Sequence, residues 1–114
     1  MLHKERKGKV IMRIIEHKMV KAINRIENFK LGNTEVVNCP NCQKVYLFGN
    51  LIAVLKPHSL YLTNSGWATH TTASRLRAIL QNLNLSVKVR NKGEDTLFTN
   101  GKETSLNSIE IKVA

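Results

Sequence analysis

Residues 34–64, TEVVNCPNCQKVYLFGNLIAVLKPHSLYLTN, decide the fold of this chain. Short runs of β-branched, aromatic and leucine residues alternate there with turn residues, which are the proline of CPNC, Gly49-Asn50, Pro57-His58 and Asn64-Ser65-Gly66. The first group favours strands and the second favours tight turns. The segment therefore predicts four strands, NTEVVNC, QKVYLFGN, LIAVLK and SLYLTN, joined as an antiparallel meander.

A helical pattern follows the four strands, in THTTASRLRAILQNLN at residues 69–84. It predicts a helix at about residues 72–83, with Thr71 or Thr72 accepting the free N–H groups of its first turn. The residues that share its apolar face are Leu76, Ile79, Leu80 and Leu83.

Three further strand patterns complete the chain: LSVKVR, TLFTNGKE and SIEIKV. Runs of strands with few helices favour an α+β arrangement over a parallel sheet. The predicted fold is a twisted antiparallel meander packed on one face by the helix at 72–83. Residues 31–114 are predicted to form this single α+β domain.

Residues 1–30 are predicted to form a basic N-terminal helix or tail. An apolar stripe at helical spacing consists of Ile15, Met19, Ala22, Ile26 and Phe29. A ridge of cationic or titratable residues repeats every four positions at Arg13, His17, Lys21 and Arg25, which indicates an amphipathic helix. KERKGKVIM could be encoded by a purine-rich ribosome-binding stretch, so Met1, Met12 and Met19 are all candidates for the natural start. If Met12 or Met19 is the start, the residues before it would be a disordered basic tail.

The charge of the chain indicates an anionic partner. The chain has eighteen Lys and Arg residues and eight Asp and Glu residues, which gives a net charge of +10. Its 114 residues are enough for one domain. No run of 18 apolar residues is present, and both cysteines lie in one tetrapeptide, which excludes a membrane span and a disulfide framework. A cytoplasmic protein is therefore expected.

The CPNC tetrapeptide is the strongest candidate for site chemistry. Cys39 and Cys42 have the spacing of half a tetrahedral zinc site, which His58 and His70 would complete, unless two chains share four cysteines. Turn cysteines without a ligand are the favoured interpretation and zinc is the second, whereas a redox pair is least favoured because a strand follows where a helix is needed. No cofactor is predicted, and zinc is the one candidate.

The sequence contains few features that indicate a catalytic site. The carboxylates are scattered apart from Glu94-Asp95, and no spacing pairs a nucleophile with a base. We therefore expect a protein that is not an enzyme.

One ordered pattern in the chain resembles small accessory proteins of bacteriophages and prophages. The pattern is GN.IA followed by GW.T.TT..RL..L, within residues 33–100. It consists of Gly49, Asn50, Ile52, Ala53, Gly66, Trp67, Thr69, Thr71, Thr72, Arg75, Leu76 and Leu80. The resemblance implies an accessory phage protein and no particular activity. The CPNC insert and the helical N-terminus depart from the pattern.

Three kinds of function are compatible with these features. The first is a stoichiometric binder and inhibitor of a host nucleic-acid-handling complex, such as a defence effector inhibited in the manner of an anti-CRISPR protein. The alternatives are a direct nucleic-acid-binding accessory protein and a zinc-knuckle structural or interaction protein. The oligomeric state is open, and a dimer is among the choices. The predicted contacts to nucleic acid or a protein partner are Arg13, Lys21, Arg25, Tyr61, Trp67, Arg75, Arg77, Lys88 and Arg90. Trp67 either packs in the core between the sheet and the helix or, with Tyr61, is exposed so that bases or side chains of a partner stack on it.

Overall fold

The computed structural model describes residues 12–63, 65, 69–83, 88–92, 95–99, 103–105 and 108–112. Within them the helices are α1 (Ile14–Arg25) and α2 (His70–Asn82). The strands are β1 (Phe29–Leu31), β2 (Thr34–Cys39), β3 (Cys42–Leu47), β4 (Asn50–Leu55), β5 (Ser59–Thr63), β6 (Lys88–Lys92), β7 (Asp95–Thr99), β8 (Glu103–Ser105) and β9 (Ser108–Lys112).

The predicted α+β fold is confirmed. Strands β2 to β5 form the predicted antiparallel meander, which β1 extends at one edge and β9 at the other, in the order β1-β2-β3-β4-β5-β9. Strands β6, β7 and β8 form a separate antiparallel sheet. The division of the chain at residue 30 stays a prediction.

The turn between β3 and β4 lies one residue earlier than predicted. Its two residues are Phe48 and Gly49, both with positive φ (53° and 79°), as a two-residue hairpin turn of this twist requires. Beyond the turn, Tyr46 pairs with Leu51 and Val45 with Ala53, so Ile52 is an extra residue in β4. This bulge lets the adjacent Ile52 and Ala53 both be buried.

Both helices pack against the same face of the six-stranded sheet. Met19 and Ile23 of α1 and Leu76 and Ile79 of α2 meet a layer of strand residues that includes Val36, Val45, Leu60 and Leu62. The helix predicted at 72–83 is confirmed and begins two residues earlier. Its N-cap is Thr69, in place of Thr71 or Thr72, because the hydroxyl of Thr69 accepts the N–H of Thr72 at 3.1 Å.

The predicted apolar stripe of α1 is only partly correct. Met19 and Ala22 are buried, but Ile26 is 71% exposed and ends the helix in the left-handed conformation with φ 55°. Phe29 lies in β1 because the helix has already ended at Arg25. Glu16, which the stripe leaves out, is completely buried.

The two helices run parallel and side by side. The Ser74 hydroxyl donates to the Glu16 carboxylate near their N-terminal ends, and Asn82 and Asn24 exchange amide hydrogen bonds near their C-terminal ends. Each contact joins residues 58 positions apart, so the helices keep one register along their length. Among the described residues, no helix is long and apolar enough to cross a membrane.

Candidate functional site

The outward side of α1, together with its N-cap residue Arg13, carries a row of basic and titratable side chains, which we call the α1 basic face. Its members are all exposed, and they are Arg13, His17, Lys18, Lys21 and Arg25. Residues three and four apart on a helix lie above one another, so the row extends over about 18 Å. The α1 basic face groups three of the predicted contacts, Arg13, Lys21 and Arg25.

No carboxylate within α1 offsets this charge at the surface. The acidic residue of the helix, Glu16, is turned inward and completely buried. An exposed carboxylate, Glu27, follows only after the helix has ended. The face is therefore suited to an anionic surface.

An apolar side chain interrupts the polar character of the same face. Ile14 is 75% exposed and lies two helical turns before Lys21, within about 20° of it around the helix axis. A large exposed apolar residue among cations adds a contact that a phosphate backbone does not use.

Arg75 was predicted as a surface contact, and the structure corrects this. The residue is 2% exposed, and its side chain extends from α2 towards α1 and the turn before β2. Nη1 donates to Glu16 Oε2 at 2.7 Å, Nε to Thr34 Oγ1 at 2.9 Å and Nη2 to Asn33 Oδ1 at 3.1 Å. Every branch of the guanidinium is thus engaged, and Arg75 is a structural residue that joins three elements.

The buried Glu16 carboxylate, like the guanidinium of Arg75, is fully engaged in hydrogen bonds. Burial raises its pKa, but hydrogen bonds from the Ser74 hydroxyl, the Arg13 backbone N–H and Arg75 together hold the pKa below the ordinary value of 4.5. The Arg13 N–H lies 2.9 Å from Oε1 and thereby caps the first turn of α1. Sequence reasoning missed Glu16, although its position three residues after Arg13 is the spacing of a capping box.

The remaining predicted contacts are not grouped with the α1 basic face. Tyr61 lies between Leu60 and Leu62, which point into the core, so it belongs to the sheet face away from the helices. Arg77 is half-buried and engaged in an interaction within the chain. Lys88 and Arg90 both lie in β6. Trp67 lies outside the described residues.

Comparison with models of known protein families identifies the family to which this chain belongs. The sequence model of the family described as Kyanoviridae Gp96 protein matches residues 12–110. This chain belongs to the Kyanoviridae Gp96 protein family. The assignment confirms the resemblance to accessory phage proteins. A search of the curated proteins and a search of the solved structures each found no match.

In this Kyanoviridae Gp96 family protein, the residues of the phage-like pattern have structural roles where they are described. Gly49 supplies a positive φ in the β3–β4 turn, and Ile52 with Ala53 forms the bulge of β4. Thr69 caps α2, and Arg75 ties α2 to α1. The pattern therefore specifies how α2 is attached to the sheet.

The two cysteines face each other at the end of the β2–β3 hairpin. Cys39 pairs directly with Cys42 across the turn residues Pro40 and Asn41, and both cysteines are half-buried free thiols. A hydrogen bond with Cys39 is the main cause that raises the pKa of Cys42. The cysteines are strand residues, and the turn itself is shorter than predicted.

The full predicted zinc set, Cys39, Cys42, His58 and His70, is not assembled. His70 begins α2 beside Thr69 and Thr71, which line a cavity with Leu47 and Phe48, at the end of β3 opposite to Cys42. His58 is exposed in the β4–β5 connection. Within the described part of the chain, no three residues of the His, Cys, Asp and Glu types are grouped to hold one metal ion.

Proposed function

We propose that this protein is a non-enzymatic phage accessory protein that binds one host nucleic-acid-handling complex stoichiometrically in the host cytoplasm and inhibits it. The α1 basic face is the surface that docks. It would cover an anionic region of the host complex, and so prevent that complex from engaging its own nucleic acid or partner.

The observation that carries the proposal is the segregation of charge on α1. Five exposed basic or titratable side chains lie along one side of the helix, and its carboxylate is buried on the other. A surface of one sign attracts an oppositely charged partner and accelerates encounter. Membership of a phage protein family supports a host component as that partner.

Exposed apolar side chains favour a protein surface over bare nucleic acid. Ile14 lies among the cations of α1, and Phe48 is 72% exposed at the β3–β4 turn. The N–H of Phe48 donates to the Asn33 carbonyl, and Asn33 also receives a hydrogen bond from Arg75, so this turn lies at the same end of the molecule as the start of α1. Aromatic and aliphatic anchors surrounded by charge are typical of protein–protein interfaces.

Charge reversal on the α1 basic face tests the proposal. The variant Lys21→Glu with Arg25→Glu lowers the net charge from +10 by four, and so does the control Lys30→Glu with Lys56→Glu, whose residues are exposed outside α1. Tagged proteins are incubated with nuclease-treated host lysate, and the mass of any complex gives its stoichiometry. We expect the natural protein and the control to retain the same host complex in a fixed ratio, and the α1 variant to lose it.

Equal retention by both variants would contradict the assigned face. Retention that disappears for all proteins after nuclease treatment would instead indicate direct nucleic-acid binding. In that case log affinity should fall with log salt by about 0.9 per phosphate contact on duplex and about 0.7 on single strands.

A further inference from the structure

The end of the β2–β3 hairpin presents two thiols as a preformed pair. Residues directly opposite in an antiparallel pair have Cβ atoms about 4.5–5.5 Å apart. Cys39 and Cys42 occupy such positions, as the last directly paired residues before the turn. A two-residue turn fixes the register of this pair, so the two sulfurs are held together before any ligand arrives.

This arrangement matches half of a tetrahedral thiolate site. Zinc binds thiolate sulfur at about 2.3 Å, which places two sulfurs of a tetrahedron about 3.8 Å apart. Thiols on directly paired strand positions need only side-chain rotations to meet that separation. We propose that Cys39 and Cys42 bind one Zn²⁺ together with the same two cysteines of a second copy of this chain.

The second copy supplies the two further zinc ligands that the described residues of one copy lack. Structural zinc sites use four protein ligands, and no third metal-binding side chain is grouped with the pair within the described part of the chain. The turn residues Pro40 and Asn41 are exposed, so another hairpin end can approach the thiols. A two-fold axis through the metal then makes the two pairs equivalent.

The charges beside the pair fit a four-thiolate centre. Four thiolates around Zn²⁺ leave a net charge of −2, and each thiol releases its proton to solvent on binding. Lys44 follows Cys42 by two residues along β3, and Lys56 follows Leu55, which pairs with Gln43, so two copies bring four ammonium groups near the centre. The same lysines repel each other when no metal is bound, which predicts that the chains associate at this point only through the metal.

Metal titration of the reduced protein tests the inference. The protein, kept reduced with a phosphine, is titrated with Zn²⁺, and Co²⁺ serves as a spectroscopic probe of thiolate number. We expect one metal ion per two chains, a doubling of the mass in solution, reversal by a chelator, and protection of both cysteines from alkylation. Cys39→Ser and Cys42→Ser should each abolish binding and dimer formation, whereas His58→Ala and His70→Ala should retain both.

Three results would overturn the inference. They are one metal ion per monomeric chain, loss of binding in either histidine variant, and no retained metal at micromolar free Zn²⁺. Alkylation protection in the natural protein provides an answer even where a serine variant fails to fold. The outcome is independent of the α1 basic face, which lies on another element.

Discussion

A single buried carboxylate, Glu16, joins parts of the chain that are far apart in sequence. It accepts hydrogen bonds from the N-terminus of α1 and from Ser74 and Arg75 of α2, and Arg75 continues to Asn33 and Thr34. A buried ion pair contributes little compared with well-packed apolar residues, but breaking it leaves an uncompensated charge. Its effect is therefore to fix how the two helices and the sheet are oriented.

Removing one partner of this pair should be far more damaging than removing both. We expect Arg75→Met to cost about 3–5 kcal/mol of unfolding free energy because Glu16 remains buried and unpaired. The double variant Glu16→Met with Arg75→Met should recover most of that loss. Arg25→Met, at an exposed position, should change stability by less than about 0.5 kcal/mol. Urea denaturation measures all four proteins, and a double variant no more stable than Arg75→Met would contradict this account.

The same carboxylate makes stability depend on acid pH. Its pKa in the folded protein is below 4.5, so the unfolded chain takes up this proton first as the pH falls. The stabilisation is fully present above pH 4.5 and is lost as the pH falls through the folded pKa. We expect Glu16→Gln to show a smaller decrease in unfolding free energy below pH 4.5 than the natural protein. Parallel decreases in the two proteins would show that other carboxylates dominate.

At the scale of elements, the end of α1 shows how local geometry overrides a hydrophobic pattern. Ile26 continues the apolar spacing of the helix, yet it is the C-cap residue. Its N–H bonds back to Ile23, and the N–H of Glu27 bonds back to Ala22, so the chain turns at this point and Ile26 points outward. A β-branched residue is strained in the left-handed conformation, where glycine is the usual choice.

Substitution of this cap distinguishes a core residue from a strained turn residue. We expect Ile26→Gly to be neutral or to raise the unfolding free energy by up to about 1 kcal/mol, because glycine adopts positive φ without strain. Met19→Ala, at a fully buried position of the same helix, should cost about 2–5 kcal/mol. Thermal unfolding of both variants checks the difference. If Ile26→Gly lowered the unfolding free energy as much as Met19→Ala, Ile26 would be a core residue and this interpretation would be wrong.

At the scale of the whole molecule, periodicity predicted the elements well but their partners poorly. The alternation in residues 34–64 predicted the meander, because strand patterns and turn residues act over a few positions. Arg75 was misplaced because its partner Glu16 is 59 residues away, and no local pattern indicates which cation will be buried. The α1 basic face was predicted from four-residue spacing alone, apart from Lys18, since exposure on a helix follows from its register.

The pairing of β9 with β5 has a consequence for the order in which the protein forms. Strands β1 to β5 follow one another in the chain and can pair as they are synthesised, whereas Thr63 must wait for Ser108. Contacts between distant parts of a chain form slowly because a long loop must first close. Until residues 108–112 have been translated, β5 therefore has an unpaired edge, which is the kind of surface that recruits chaperones or neighbouring nascent chains.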